Sequence, residues 1–201
     1  MNIFKREKIK NYFLKRKYKG IKFNGNVRIL GELPTFKMYS ESKCIIGRNV
    51  VFNSNKKTSN TALTNTCHFT IGYTGSLSIG DNTMFNGVSI TAYKKVIIGE
   101  NCQIASNTFI ADTDFHPISP IERLKQVKGE KYSFDSVNKK GIVIGDNVWI
   151  CWGAIILKGT KIGNNSIVGA GSVVKGNFPE NVVIAGNPAR IVKYLDKENY
   201  E

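Results

Sequence analysis

The sequence predicts an all-β solenoid, and three observations carry that prediction. From 144 to 179 a branched aliphatic residue opens every hexad: Ile144, Ile150, Ile156, Ile162, Val168 and Val174. The fifth place of the same hexads holds Val148, Ala154, Thr160, Ser166, Ser172 and Phe178, which are mostly small. Gly145, Gly163 and Gly169 follow aliphatic openers, and Gly or Asn tolerates the left-handed backbone angles that tight corners require. Three hexads make one triangular coil with an inward aliphatic side chain on each side. Stacked coils then share a narrow core in which each repeat covers the next.

Read from the N-terminus, residues 1 to 20 interleave Lys5, Arg6, Lys8, Lys10, Lys15, Arg16, Lys17 and Lys19 with Ile3, Phe4, Ile9, Tyr12, Phe13 and Tyr18. That pattern predicts a short basic amphipathic helix. Two roles fit it: a solvated cap over the open end of the solenoid, which is favoured because terminal repeats need covering, or peripheral contact with a membrane. From 21 to 111 the coils are less regular, with Ile46-Gly47, Ile71-Gly72, Ile79-Gly80 and Ile98-Gly99 marking turns. The step from Ile79 to Ile98 is 19 residues, one more than a full coil, which places an insertion or bulge near Tyr93 to Lys95. The step from Ile110 to Ile144 is 34 residues, not a multiple of six. The stretch 113 to 140 lacks the beat and reads as a long loop leaving the solenoid, the kind of excursion that usually carries function. After Phe178-Pro179 the beat stops. Ala185-Gly186-Asn187-Pro188 turns the chain into a short tail, predicted helical from Ala189 to Tyr194. The expected organisation is a cap, 1–20; a solenoid, 21–181, with its loop; and a turn and tail, 182–201.

Subtracting 15 acidic from 29 basic residues gives +14. Such a charge suits an anionic partner but does not choose among nucleic acid, membrane and phosphate-bearing ligand. No nucleic-acid-binding motif supports the first, and none is expected as a partner. Cys44, Cys67, Cys102 and Cys151 are far apart and lack paired metal spacing, so they read as small core or corner residues in a reducing compartment, with no metal. The apolar runs are too short for a bilayer span, and no secretory signal is visible. The expected location is the cytoplasm, at most peripheral to the inner face of the membrane.

At the root of the loop stands Asp112-Thr113-Asp114-Phe115-His116-Pro117. The chain has two histidines. An ordinary imidazole titrates near 6.5, so it can take a proton from an alcohol at neutral pH. Position alone leaves a structural role for His116 the commoner outcome, and His68 carries no stronger claim.

Four segments change that weighing: DTDFHPI at 112–118, KGIVIGDNVWI at 140–150, IGNNSIVGAGSVV at 162–174 and PENVVIAGNPARIV at 179–192. With these in this order, over roughly 26 to 193, the chain resembles the left-handed parallel β-helix acyltransferases built of hexapeptide repeats. Within them it is similar to the sugar O-acetyltransferases related to galactoside, maltose and capsular-polysaccharide acetyltransferases. The resemblance implies acetyl-CoA-dependent transfer to a hydroxyl of a sugar or glycan, in homotrimers whose sites lie between neighbouring solenoids. It assigns His116 as general base and Asn86 as the residue that positions the acceptor, with Asp114 and Trp149 on the acceptor side. For acetyl-CoA it implies Trp152, Ala170, Lys175, Arg190 and Lys193, with the small Ala154 leaving room for the pantetheine arm; Lys and Arg suit its phosphates. Ala170, between Gly169 and Gly171, is equally explained by corner geometry.

Two departures stand out. Trp152 replaces a small polar residue, and stacking on the cofactor, narrowing of the groove and coverage of a subunit interface all fit it. Tyr93 occupies the place of an acidic residue found in some relatives. Trp149 either walls the acceptor site or packs beneath the loop. The expected mechanism is direct transfer in a ternary complex without an acyl-enzyme, the imidazole being held by Asp112, Asp114, Glu122 or a backbone carbonyl. An N-acetyltransferase acting on an amino sugar nucleotide or an antibiotic, and a catalytically silent scaffold, are the alternatives.

Overall fold

The computed structural model describes residues 3–56 and 65–195. The end of the basic tail, 196–201, and the side chains of the first eight residues lie outside that description. The first coil is β1 (Ile21–Phe23), β2 (Val27–Gly31) and β3 (Thr35–Met38), and the second is β4 (Lys43–Ile46), β5 (Val50–Ser54) and β6 (His68–Ile71). The third holds β7 (Ser76–Ile79), β8 (Met84–Asn86) and β9 (Ser89–Ala92); the fourth, β10 (Lys95–Ile98), β11 (Gln103–Ile104) and β12 (Phe109–Ala111). After the excursion come β13 (Ile142–Ile144), β14 (Trp149–Ile150) and β15 (Ile155–Leu157), then β16 (Lys161–Ile162), β17 (Ile167–Val168) and β18 (Val173–Val174). The last coil is β19 (Asn177–Phe178) and β20 (Val182–Gly186), followed by β21 (Ala189–Tyr194).

Every third strand pairs in parallel, giving three faces of seven, eight and six strands. This is the left-handed parallel β-helix, and the hexad openers are its axis. On the first face the register stacks Ile46, Ile79, Ile98, Ile144, Ile162 and Phe178 in one inward column. Phe52, Phe85, Ile104, Ile150, Val168 and Ile184 form the second column, and Phe36, Phe69, Ile90, Ile110, Ile156 and Val174 the third. Each coil advances the axis by the inter-strand spacing of about 4.8 Å, so inward side chains meet only their counterparts above and below. The early coils are filled by aromatics, with Phe36 stacked on Phe69 at 4.6 Å and Phe52 on Phe85 at 5.7 Å. Buried Cys44 and Cys102 complete this core, their thiols pushed up to about 12 and about 11 by burial, which makes them poor nucleophiles.

Asparagines at the corners do two jobs. Asn82, Asn101, Asn147, Asn165 and Asn181 all adopt positive φ, and their amides form ladders: Asn147 donates to Asn165 at 3.0 Å, and Asn165 to Asn181 at 3.0 Å. Asn165→Ala loses both the amide bonds and a residue tolerant of this backbone region, so it is expected to cost about 2 kcal/mol. Asn165→Gly keeps the backbone conformation and is expected to cost less. Chemical denaturation of the two variants beside the wild type checks the order.

The N-terminal helix, α1 (Ile3–Lys17), packs on β2 and buries Leu14. Tyr18 meets Phe36 edge-on at 5.2 Å, so the helix closes the aromatic end of the core, while Tyr12 and Phe13 stay exposed. The expected helix at Ala189–Tyr194 is corrected: this segment is β21, antiparallel to β20, with Gly186 opposite Ala189 and Val182 opposite Tyr194. Ile191, Val192 and Tyr194 are strand-forming types, and by pairing they cover the edge that the last coil leaves open. The loop 113–140 is also more ordered than its composition suggests, since it contains a helix, α2 (Pro120–Val127), and a short 3-10 turn at Phe134–Ser136.

Candidate active site

The root of the excursion is built around Asp112, which is fully buried. Its carboxylate accepts the backbone N–H groups of Tyr93 at 2.7 Å, Lys94 at 2.8 Å and Lys95 at 2.6 Å. These are the residues of the expected insertion, and the extra residue stays in place because a carboxylate fills its turn. Burial holds the Asp112 carboxyl above the ordinary carboxylate range, outweighing the downward pull of the three N–H groups. The Asp112 carbonyl accepts from the Lys140 N–H at 2.9 Å, Asp114 N–H donates to Asn138 at 3.0 Å, and Thr113 bridges Lys139. Both ends of the excursion are thereby tied together by backbone hydrogen bonds beside the residue whose buried carboxylate fills the Tyr93 turn.

Beyond it, Phe115 has φ +63°, an outlier for a bulky side chain. The His116 N–H closes this three-residue turn on the Asp114 carbonyl at 2.7 Å. Phe115 is held there by its ring, which lies 6.2 Å from Phe109 and 6.3 Å from Tyr93. Strain of this kind persists where the surroundings over-determine it, and here it turns His116 away from the coil. His116 is exposed, its Nδ1 lies 2.9 Å from Gln126 Oε1, and among the described residues its Nε2 has no protein partner.

None of the three carboxylates expected beside the imidazole holds it. Asp112 serves the Tyr93 turn. Asp114 pairs with Lys158 through a short contact, which ties the loop root to the fifth coil rather than to the acceptor side. Glu122 accepts from Lys125 Nζ at 2.7 Å and from the Ser133 N–H at 2.9 Å. The residue that meets His116 is Gln126 on α2, which sequence reasoning missed. A signal for that helix was present: Ser119-Pro120-x-Glu122 is a capping sequence with proline at the first helical position, and Ser119 Oγ accepts the Glu122 N–H at 3.5 Å.

The remaining expected residues fall on different edges of the prism. Asn86 ends β8 on the second face, where its Oδ1 accepts from Asn53 at 2.9 Å, and no hydrogen bond joins it to His116 within one chain. Trp149 is half exposed on β14, on the second face. Trp152 and Ala170 are exposed at stacked turns between the second and third faces, where the Gly171 N–H donates to the Trp152 carbonyl at 2.9 Å. Arg190, opposite Ala185 on β21, and Lys193, opposite Val183, lie on the second face, and Lys175 follows β18 on the third; all three are exposed. Ala154 needs correction, because it is wholly buried. The fifth place of a hexad points inward at the corner, so its methyl cannot line a groove. His68, half buried on β6, contacts Thr70 Oγ1 at 3.3 Å.

Residues 141–176 match the bacterial transferase hexapeptide family, described as six repeats. Over those residues the solenoid is similar to this hexapeptide-repeat transferase family. Among similar proteins, galactoside O-acetyltransferase of Escherichia coli K12 is 37% identical over 132 residues, covering 64% of this chain and 60% of its own. The chain spans about three-fifths of the length of the curated relatives it matches. A crystal structure of galactoside acetyltransferase in complex with coenzyme A aligns with a TM-score of 0.53 and 25% identity over 96% of this chain and 80% of that one. A hexapeptide-repeat acetyltransferase from Vibrio cholerae O1 biovar El Tor, complexed with acetyl coenzyme A, aligns with a TM-score of 0.52 and 31% identity, over 60% and 61% of the two chains.

Proposed function

We propose that this chain is an acetyl-CoA-dependent O-acetyltransferase that acts on a hydroxyl of a sugar, in a cell-surface polysaccharide or its precursor. The observation that carries the reading is His116: an exposed imidazole on a strained, anchored turn, its Nδ1 engaged and its Nε2 open. The relatives support it, since galactoside O-acetyltransferase acts on a sugar and two solved neighbours hold coenzyme A or its acetyl ester.

Nε2 takes the proton of the acceptor hydroxyl as its oxygen attacks the thioester carbonyl, and the tetrahedral oxyanion collapses with departure of the thiolate. The imidazolium returns the proton to that sulfur. In the turn after β14 the N–H groups of Gly153 and Ala154 donate to Ser106 and Cys151, so the Trp152 N–H is the donor assigned to the oxyanion. The edge carrying Trp152 and Ala170 receives the pantetheine arm, and Lys175, Arg190 and Lys193 meet the phosphates. Asn86 and His116, unconnected within one chain, come together across a trimer interface. Sedimentation equilibrium of the purified protein tests that assembly.

The first experiment is acceptor-dependent thiol release from acetyl-CoA over a panel of sugars, sugar nucleotides and bacterial glycans; absence of both release and acetyl-CoA binding sinks the reading. Amines in the same panel address the N-acetyltransferase alternative. Arg190→Glu combined with Lys175→Glu is expected to raise KM for acetyl-CoA at least tenfold with kcat nearly unchanged, because phosphate contacts made equally in ground and transition states are uniform binding. An unchanged KM would remove both residues from the site. No described helix is long and apolar enough to cross a membrane. Comparing liposome sedimentation with and without residues 1–20 tests peripheral contact.

A further inference from the structure

We propose that Gln126 and Tyr132 are positioning residues that dictate which nitrogen of His116 carries hydrogen. The proposal rests on the general-base reading of His116. Its basis is the polarity of an amide, which has one end that only accepts and one that only donates. Gln126 Nε2 donates to Tyr132 Oη at 3.0 Å, which turns Oε1 toward His116 Nδ1 at 2.9 Å. An amide oxygen cannot donate, so the contact is satisfied only when Nδ1 bears the hydrogen. The lone pair is then on Nε2, the nitrogen with no partner among the described residues. Tyr132 acts one step further out: its hydroxyl oxygen accepts from Nε2 in this arrangement, and a flipped amide would require that hydroxyl to donate instead.

The excursion is built to hold this relay. Glu122, one turn before Gln126 on α2, accepts the Ser133 N–H at 2.9 Å, which pins the segment bearing Tyr132 against the helix. Arg123 Nη1 donates to the carbonyls of Pro117 at 3.1 Å and Ile118 at 2.9 Å, holding the residues immediately after His116. Helix α2 therefore grips the histidine segment through both its imidazole and its backbone. The same helix buries none of its own residues, so packing of an apolar face does not account for its position. A neutral amide in this place also orients the ring without adding a charge that would stabilise the imidazolium.

The two histidines of the chain make the test direct. Long-range nitrogen–proton NMR on protein labelled with 15N-histidine, assigned with His116→Ala, reports the tautomer without any turnover. Above its titration, His116 is expected in the Nδ1–H form in the wild type. Gln126→Leu should shift it toward Nε2–H and lower kcat about tenfold or more, with KM for acetyl-CoA unchanged. Tyr132→Phe should give a smaller shift of the same sign, and it serves should Gln126→Leu fail to fold. Gln126→Glu keeps the acceptor, so it should retain the Nδ1–H form and move the acid limb of the pH–rate profile to higher pH. A wild-type Nε2–H tautomer, or no change in either Gln126→Leu or Tyr132→Phe, overturns the relay. The expected tautomers with no acetyl transfer to any acceptor would instead count against the proposed function and leave the relay standing.

Discussion

His116→Ala is expected to lower acceptor-dependent acetyl transfer at least a hundredfold while leaving acetyl-CoA affinity within about twofold. A positioned general base typically contributes 10²- to 10⁴-fold, and His116 carries its unpartnered basic atom on an exposed side chain at the loop root. Asp112 is buried, Asp114 is tied to Lys158 through Oδ1 while its unpartnered Oδ2 is buried, and Glu122 is tied to Lys125 and Ser133. His116 is exposed and adds no packing to the core, so the variant should unfold at the wild-type temperature and the loss should appear in kcat. Initial rates of thiol release with the best acceptor, set beside thermal unfolding, separate the two effects. Retention of more than about a tenth of wild-type turnover would end the general-base assignment.

Asp112→Ala is expected to be the most damaging single change to stability, by about 3–5 kcal/mol. It strands three N–H groups at Tyr93, Lys94 and Lys95 that have closed on the carboxylate. Bonds to a charged acceptor are worth about 1.5–3 kcal/mol each, although their losses do not simply add. For a chain of this length the midpoint of thermal unfolding should fall by roughly 6–20 °C. Asp146→Ala is the control. That carboxylate also accepts a backbone N–H, from Glu100 at 2.8 Å, but at an exposed corner where water can replace it, so about 1 kcal/mol is expected. If both variants lose the same small amount, burial of the Asp112 turn does not carry the weight assigned to it. Asp112→Ala should also lower activity beyond its loss of folded protein, because Asp112 anchors both the Tyr93 turn and the strand that leads to His116.

These two residues were not equally legible. His116 stood out because histidine is rare in this chain and because it sits where the hexad beat breaks. Asp112 was visible only as a neighbour of that histidine, and its real partners lie 17 to 19 residues upstream. The count from Ile79 to Ile98 located the inserted turn, but nothing in it names the group that fills the turn. Gln126 gave no signal of its own, although Ser119, Pro120 and Glu122 marked the start of its helix. The tail is a strand because the end of the repeat is not the end of the sheet. Ile191, Val192 and Tyr194 favour a strand, and the last coil still had an edge to offer them. Ala154 was placed in a groove for its size, whereas its place in the hexad sends it inward.

By itself the sequence determined the solenoid, its corners and the point where the chain leaves it. Each coil closes within about eighteen residues, so the alternation that buries Ile144, Ile150 and Ile156 is written locally, and register follows from stacking like on like. Tertiary structure decided the chemistry. The contacts of Asp114 with Lys158, Asp112 with Tyr93 to Lys95, and His116 with Gln126 span 44, 17 to 19 and 10 residues. They form because stacked coils and a folded excursion bring short polar side chains within hydrogen-bond reach. A hydrogen bond depends on tenths of an ångström and on which atom donates, and neither is encoded in the spacing of residues along the chain.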